Sequence, residues 1–206
     1  MLISEAITLL QNAQLKQLGI KTDTSAIIGY INLAVLEIYK RFNLRQDEAV
    51  ITMATDVTQY TLDGIDANVA IDFSDHQFLL IDEVYEETGE LMSLNDEKDP
   101  YGVTTPRYNV IEVAEVVVGQ QISVIYRSAP LFSTLVSDTI LVPPQFFEAL
   151  FNYVGFQAHS SVKGDMKSEN NTHYLRFEES CNKISALGLV NHDDMVSYAF
   201  ELRGFA

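Results

Sequence analysis

Cysteine occurs once in the 206 residues, at Cys181, which excludes an internal disulfide and a cysteine-built zinc site. That usage fits a protein made and used in reducing cytosol. Basic residues are also scarce, 13 against 29 acids for a net charge of −16, so the clustered cations that tight nucleic-acid binding requires are missing. The longest stretch without a charged residue, 149–162, has 14 residues and contains Asn152, Gln157 and His159, too short and too polar to cross a bilayer. The opening MLISEAITLL has no basic leader and carries Glu5 early, which speaks against a secretory signal. No phosphate-cradling glycine loop, dinucleotide fingerprint or Gly-x-Ser-x-Gly elbow occurs anywhere.

What is present is a globular composition, 47% hydrophobic, in a chain long enough for a core without staples. Ile7, Leu10, Leu15 and Leu18 predict a first helix over 4–18, with Gly19 as its stop. Ile27, Ile31, Ala34, Val35, Ile38 and Phe42 form the apolar face of a second helix over 25–42, opened by Asp23 or Thr24 and closed by Lys40 and Arg41. The period then changes to two. AVITMA, QYTL, QFLLIDEVYEE, LMSL, RYNVIEVAE and QISVIYRS read as strands in a β-rich insertion over 46–136. Gly89 and Gly119 mark tight connections that predict antiparallel hairpins, and NDEKDPYGVTTP reads as an exposed polar loop.

Pro143-Pro144 marks the return to helix over 144–162, since proline fits the first helical position where its missing amide is not needed. On that helix Gln145, Glu148, Asn152, Gly155 and His159 interrupt the apolar residues at 3,4,3,4 spacing. A last helix over 165–187 carries Tyr174, Phe177, Cys181 and Ile184 on one side. The end alternates again: Val196, Tyr198, Phe200 and Leu202 share one side of an extended arm over 188–206, which with Phe205 must be covered by the protein's own sheet or by a partner. The fold class is α+β.

No catalytic, cofactor-binding or metal-binding residue is assigned. His76, His159, His173 and His192 are far apart, and none lies four residues from another. The pairs Asp82-Glu83, Glu86-Glu87, Asp96-Glu97 and Asp193-Asp194 resemble acid and base couples, yet neighbours on a strand point to opposite faces. DGIDANVAID lacks the spacing and terminal Glu of a helix-loop-helix calcium site. Cys181, on an apolar helix side, reads as a small buried hydrophobe. The acids concentrate in residues 46–99, with 15 of them against one base, Lys98. They read as solvated surface, and a binding or structural role is the remaining inference.

In order and spacing the elements resemble head-to-tail adaptor (connector) proteins of tailed bacteriophages. The matching pieces are INLAVLEIYKRF, FLLIDEVYEETGELMSLN followed by TPRYNVIEV, ISVIYRSAP, ILVPPQFFEALFNYVGFQAHSS and GDMKSENNTHYLRFEESCNKI, covering most of residues 1–187. The resemblance implies one adaptor-like domain over 1–187, with a helical bundle from both chain ends and the β-rich insertion between. It also implies a non-enzymatic virion protein of the neck, assembled in the host cytoplasm into a ring, commonly of twelve subunits. Its partners would be other copies of itself, the portal and a tail or nozzle protein, with the genome passing through unbound and no membrane contact. The residues themselves raise two further expectations: that the arm docks extended on a neighbour or the portal, and that part of the acidic region lines the DNA passage, where like charge prevents sticking. The acids could equally serve solubility. Other readings are a tail-tube or neck-closing protein, which should show little helix at the chain ends; a hydrolase with a carboxylate pair brought together by folding; and a cytosolic ligand-binding module, which requires an enclosed apolar pocket.

Overall fold

The computed structural model describes residues 1–99, 101–162 and 167–190. Among the described residues four α-helices and seven strands make an α+β protein, and the strands named pair antiparallel. The described residues form two compact units, one from residues 1–42 and 131–190, the other from residues 43–130.

In the first unit α1 covers Ile3–Asn12 and α2 Thr24–Arg41. The first helix ends well before the predicted Leu18, yet Leu15 and Leu18 are buried as expected. They reach the core from a turn and a short 3-10 helix over Gly19–Thr22, because the polar QNAQ run has no apolar side to continue the helix and the Asn12 side-chain amide donates to the Thr8 carbonyl at 2.9 Å. Asp23 caps α2, its carboxylate accepting from the Ala26 amide at 3.0 Å. Proline begins a 3-10 turn over Pro144–Phe146 that runs into α3, Phe147–Val162. The last helix, α4, spans Lys167–Ala186 and ends with Gly188 at φ +60° while the Leu189 amide reaches back to the Ile184 carbonyl, a left-handed helix stop that glycine enters at no steric cost. Tyr153 packs on Phe177 and His159 on His173, so α3 and α4 run antiparallel. Phe42 meets Phe146 edge-on at 4.8 Å, fastening α2 to the start of α3.

The second unit holds two sheets. Four strands, β1 (Gln46–Thr52), β3 (Val69–Ala70), β4 (His76–Glu86) and β7 (Gln121–Pro130), lie in the order β3-β1-β7-β4. Three more, β2 (Gln59–Thr61), β5 (Val103–Arg107) and β6 (Val110–Val113), lie in the order β2-β6-β5. Ile122, Val124 and Tyr126 of β7 face one core, at 0 to 1% exposure, together with Ala49, Ile51, Val84, Tyr60 and Ile111.

Several boundaries differ from the sequence reading. Val103–Arg107 is an edge strand although residues 103–106 read as the end of a polar loop and Arg107 as the start of the next strand; Pro106 is tolerated because one side of an edge strand makes no ladder. LMSL forms only isolated bridges, from Leu91 to Tyr85 and from Leu94 to Val103. Gly89 does close a turn, with φ +86° and the Glu86 amide bonded to the Glu90 carbonyl. Gly119 also has φ +86°, but it joins strands of different sheets rather than a hairpin; the hairpin lies at Tyr108-Asn109. The sheet ends at Pro130 rather than near residue 136, since residues 131–143 pair with the helical unit instead.

Candidate functional site

Three groupings of side chains bear on function, and the first lies on the helical unit. The segment after Pro130 is tied to the start of α1: the Ile3 amide donates to the Asp138 carbonyl and the Ile140 amide to the Met1 carbonyl. Asn32 of α2 holds the same segment twice, donating to the Ser133 carbonyl at 2.9 Å and accepting from its amide at 3.0 Å. The Asp138 carboxylate accepts from the amides of Thr134 and Leu135. A loop pinned at so many points would ordinarily turn its apolar residues inward. Leu131, Phe132, Leu135 and Val136 are instead 45 to 59% exposed. Beside them Phe132, Leu33, Ala26, Gly29, Tyr30 and Asn32 line an open groove of about 460 Å³. The backbone is fixed while the apolar side chains stay outward, which is the form of a preorganised protein-binding surface.

A second grouping, centred on the buried His76, lies at one end of the four-stranded sheet. His76, 4% exposed, is 2.7 Å from the Asp75 carboxylate through Nδ1 and 2.7 Å from the Tyr126 hydroxyl through Nε2. Arg45 donates to both Asp75 and Asp47, and the Ser128 hydroxyl donates to Asp47. The Arg45 guanidinium and His76 hold the Asp75 carboxyl down at about 2. Burial works against ionisation of Asp47, but the bonds from Arg45 and Ser128 outweigh it and keep its pKa below the ordinary range. Burial pushes the Tyr126 phenol far above its usual value. These groups satisfy one another. The arrangement ties the beginnings of β1 and β4 to the end of β7.

The third grouping is the acidic run. Few of its carboxylates are simply solvated. Asp63, Asp66, Asp72, Asp96 and Asp99 accept from backbone amides two residues on, at Ile65, Asn68, Ser74, Lys98 and Tyr101. Asp82 takes the Arg127 guanidinium at 2.8 Å and an amide of Gln46, Glu48 takes the Ser123 hydroxyl, and Glu83 the Tyr85 hydroxyl. The expectation of a solvated acidic face therefore needs amending for these residues, which fix turns and strand partners. Sequence reasoning missed this although a signal existed: an acid two residues before the amide it caps, repeated along DGIDAN and DEKDPY.

Among the described residues no group of three or more His, Cys, Asp or Glu side chains could hold a metal ion. The sequence-separated His159 and His173 are brought together, their rings stacked at 4.9 Å. Cys181 is buried, and burial pushes its thiol up to about 11. No described helix is long and apolar enough to cross a membrane. The arm residues Val196, Tyr198, Phe200, Leu202 and Phe205 lie outside the described residues. A search of curated proteins finds no match to the sequence. A family model described as "SU10 adaptor protein" matches residues 2–199.

Proposed function

This chain belongs to the SU10 adaptor protein family, a family of phage adaptors, and from that membership we propose that it is a head-to-tail adaptor forming a ring between portal and tail. As a phage adaptor it is a structural component of the virion. The observation that carries the finer reading is the pinned loop that displays Leu131, Phe132, Leu135 and Val136. A surface held rigid in advance loses little entropy when a partner covers it, as repeated subunit contacts require. Head-to-tail rings need two different complementary patches on each subunit, and this loop is one of them.

In this reading the helices from both chain ends form the bundle that carries the ring contacts, within one adaptor-like domain over 1–187. The arm over 188–206 adds main-chain hydrogen bonds to a neighbouring copy or to the portal, burying Val196, Tyr198, Phe200, Leu202 and Phe205. Carboxylates not used in turns, such as Glu86 and Glu90 beside Gly89, border the DNA passage and repel the genome. The ring acts at the neck, between a portal and a tail or nozzle protein.

The deciding experiment images the purified protein by negative stain, alone and mixed with a portal ring, with Phe132→Asp and Leu135→Asp as variants. The wild type should give closed rings or ring-capped portals, and the double variant should not, while its circular dichroism stays unchanged. Rings forming equally well from the double variant would remove the loop from the interface. A wild type that neither closes nor attaches would end the adaptor-ring reading.

A further inference from the structure

We propose that one tip of the β unit, built around Val117 and Val118, is a docking surface for a different protein chain, whose contact patch is aliphatic at its centre and rimmed by lysine or arginine; the inference rests on the adaptor reading above. β6 ends at Val113, and the chain crosses to Gln121 at the start of β7 through three consecutive valines. Val116 packs on the core, whereas Val117 and Val118 are 53% and 62% exposed. The turn that displays them is tightly held. The Gln120 amide donates to the Val117 carbonyl at 3.0 Å, which places Val118 and Gly119 at the corner, and Gly119 takes φ +86°. Met53, just past β1, grips the same turn twice: its amide donates to the Gln120 carbonyl and its carbonyl accepts from the Gly119 amide, each at 2.9 Å.

Turn corners ordinarily carry glycine, proline, asparagine, aspartate or serine, and the two outward valines gain little from burial within the subunit. A fixed turn that keeps aliphatic groups in water loses little entropy when a partner covers them. Leu91, 63% exposed, adds a third such group: it bridges to Tyr85 of β4 on the side away from β7. The strand register gathers these loops at one end of the sheet. Thr52 and Glu86 pair with Gln121 and Ile122, and the Glu87 carboxylate accepts from the Gln121 amide at 3.4 Å.

Charge identifies the occupant. Residues 43–130 hold 17 acids against 4 bases, while residues 1–42 and 131–190 hold 9 against 8. The three loops at this tip, 53–57, 86–91 and 114–120, carry Asp56, Glu86, Glu87, Glu90 and Glu115 and no base. Arg45 and Arg127 are spent on Asp75 and Asp82 at the other end of the sheet, where Arg127 pairs with Gln46. A second copy would bring the same uncompensated acids to the contact, and DNA is repelled by them. A chain presenting lysine or arginine around an aliphatic centre matches both parts of the surface, the valines and the carboxylates around them. The near-neutral helical unit, with its outward loop over 131–136, is left for contacts between copies. Glu86 and Glu90 border the DNA passage in the adaptor reading, so the docked chain meets the rim of that passage.

The test supplies the full chain with Val118→p-benzoylphenylalanine during particle assembly, illuminates the purified particles and maps the cross-linked peptides by mass spectrometry. Cross-links to a different virion protein are expected, on a segment where lysine and arginine exceed aspartate and glutamate. Cross-links to a second copy of this chain, to DNA or to a segment without that excess would overturn the inference, as would none at all from particles that contain the protein. A second measurement needs no probe. Glu87→Lys with Glu115→Lys should lower the yield of complete particles at least tenfold, and Glu87→Gln with Glu115→Gln by less, while the free variants form rings in negative stain as the wild type does. Unchanged particle yield from the lysine pair, or loss of rings by variants with unaltered circular dichroism, would sink this inference and leave the ring reading standing. Particles that lack the protein altogether would end the adaptor reading, and this inference with it.

Discussion

Two glycines inside helices show how one position's surroundings set the sign of a substitution. Gly155 of α3 lies where a Cβ would come 2.9 Å from the His173 ring, whereas Gly29 of α2 has open space around it. Alanine is favoured over glycine in a helix by about 1 kcal/mol. We expect Gly29→Ala to stabilise the protein by about 0.5–1 kcal/mol, and Gly155→Ala to destabilise it by about 1–3 kcal/mol through overpacking, both read from urea unfolding midpoints. Equal effects of the same sign would show that His173 gives way. Asp75 makes a second residue-scale case, in pH. Its folded pKa, about 2, lies below its ordinary value of 3.8, so its contribution to stability is fully present above the ordinary value and is lost as pH falls from about 4 towards 2. Asp75→Asn should flatten stability over that window in an acid titration followed by fluorescence. An unchanged slope would mean that the contacts with Arg45 and His76 do not persist in solution.

At the scale of elements, Arg41 joins α2 to α4. Its two terminal nitrogens each lie 2.7 Å from a Glu178 carboxylate oxygen, its Nε bonds Glu37, and its guanidinium sits 4.6 Å over the Phe177 ring. Both partners remain about 30% exposed, so solvent screens much of the charge. Arg41→Ala should cost about 1–2 kcal/mol in chemical denaturation, and Arg41→Lys most of that, because lysine cannot make the paired bonds. No change would assign the contact to surface decoration. The sequence reading placed Lys40 and Arg41 only as favourable charges at the end of a helix, since a partner 137 positions away leaves no local trace. The same limit explains the missed strand at Val103–Arg107: TTP carries no alternation, and it pairs because β6 presents Val110 and Val113 to it.

At the scale of the whole molecule the charge of −16 is the main lever. We expect labelled double-stranded DNA not to be retained by assembled rings at physiological salt in an anisotropy titration; tight binding there would contradict an acidic lining of the passage. Periodicity alone located the four helices within a few residues of their ends, except for the end of α1, along with most strands and the burial of Cys181, because the spacing of apolar residues follows directly from 3.6- and 2-residue repeats. The separation into two compact units, the clasp of Arg45, Asp47, Asp75, His76 and Tyr126, and the turn-capping use of the acids were decided by tertiary structure. So was the pairing of Asn32 with Ser133, which turns an apolar loop outward. The physical reason is range: a hydrophobic repeat is written in neighbouring residues, whereas a hydrogen bond between residues a hundred positions apart exists only once the chain has closed on itself.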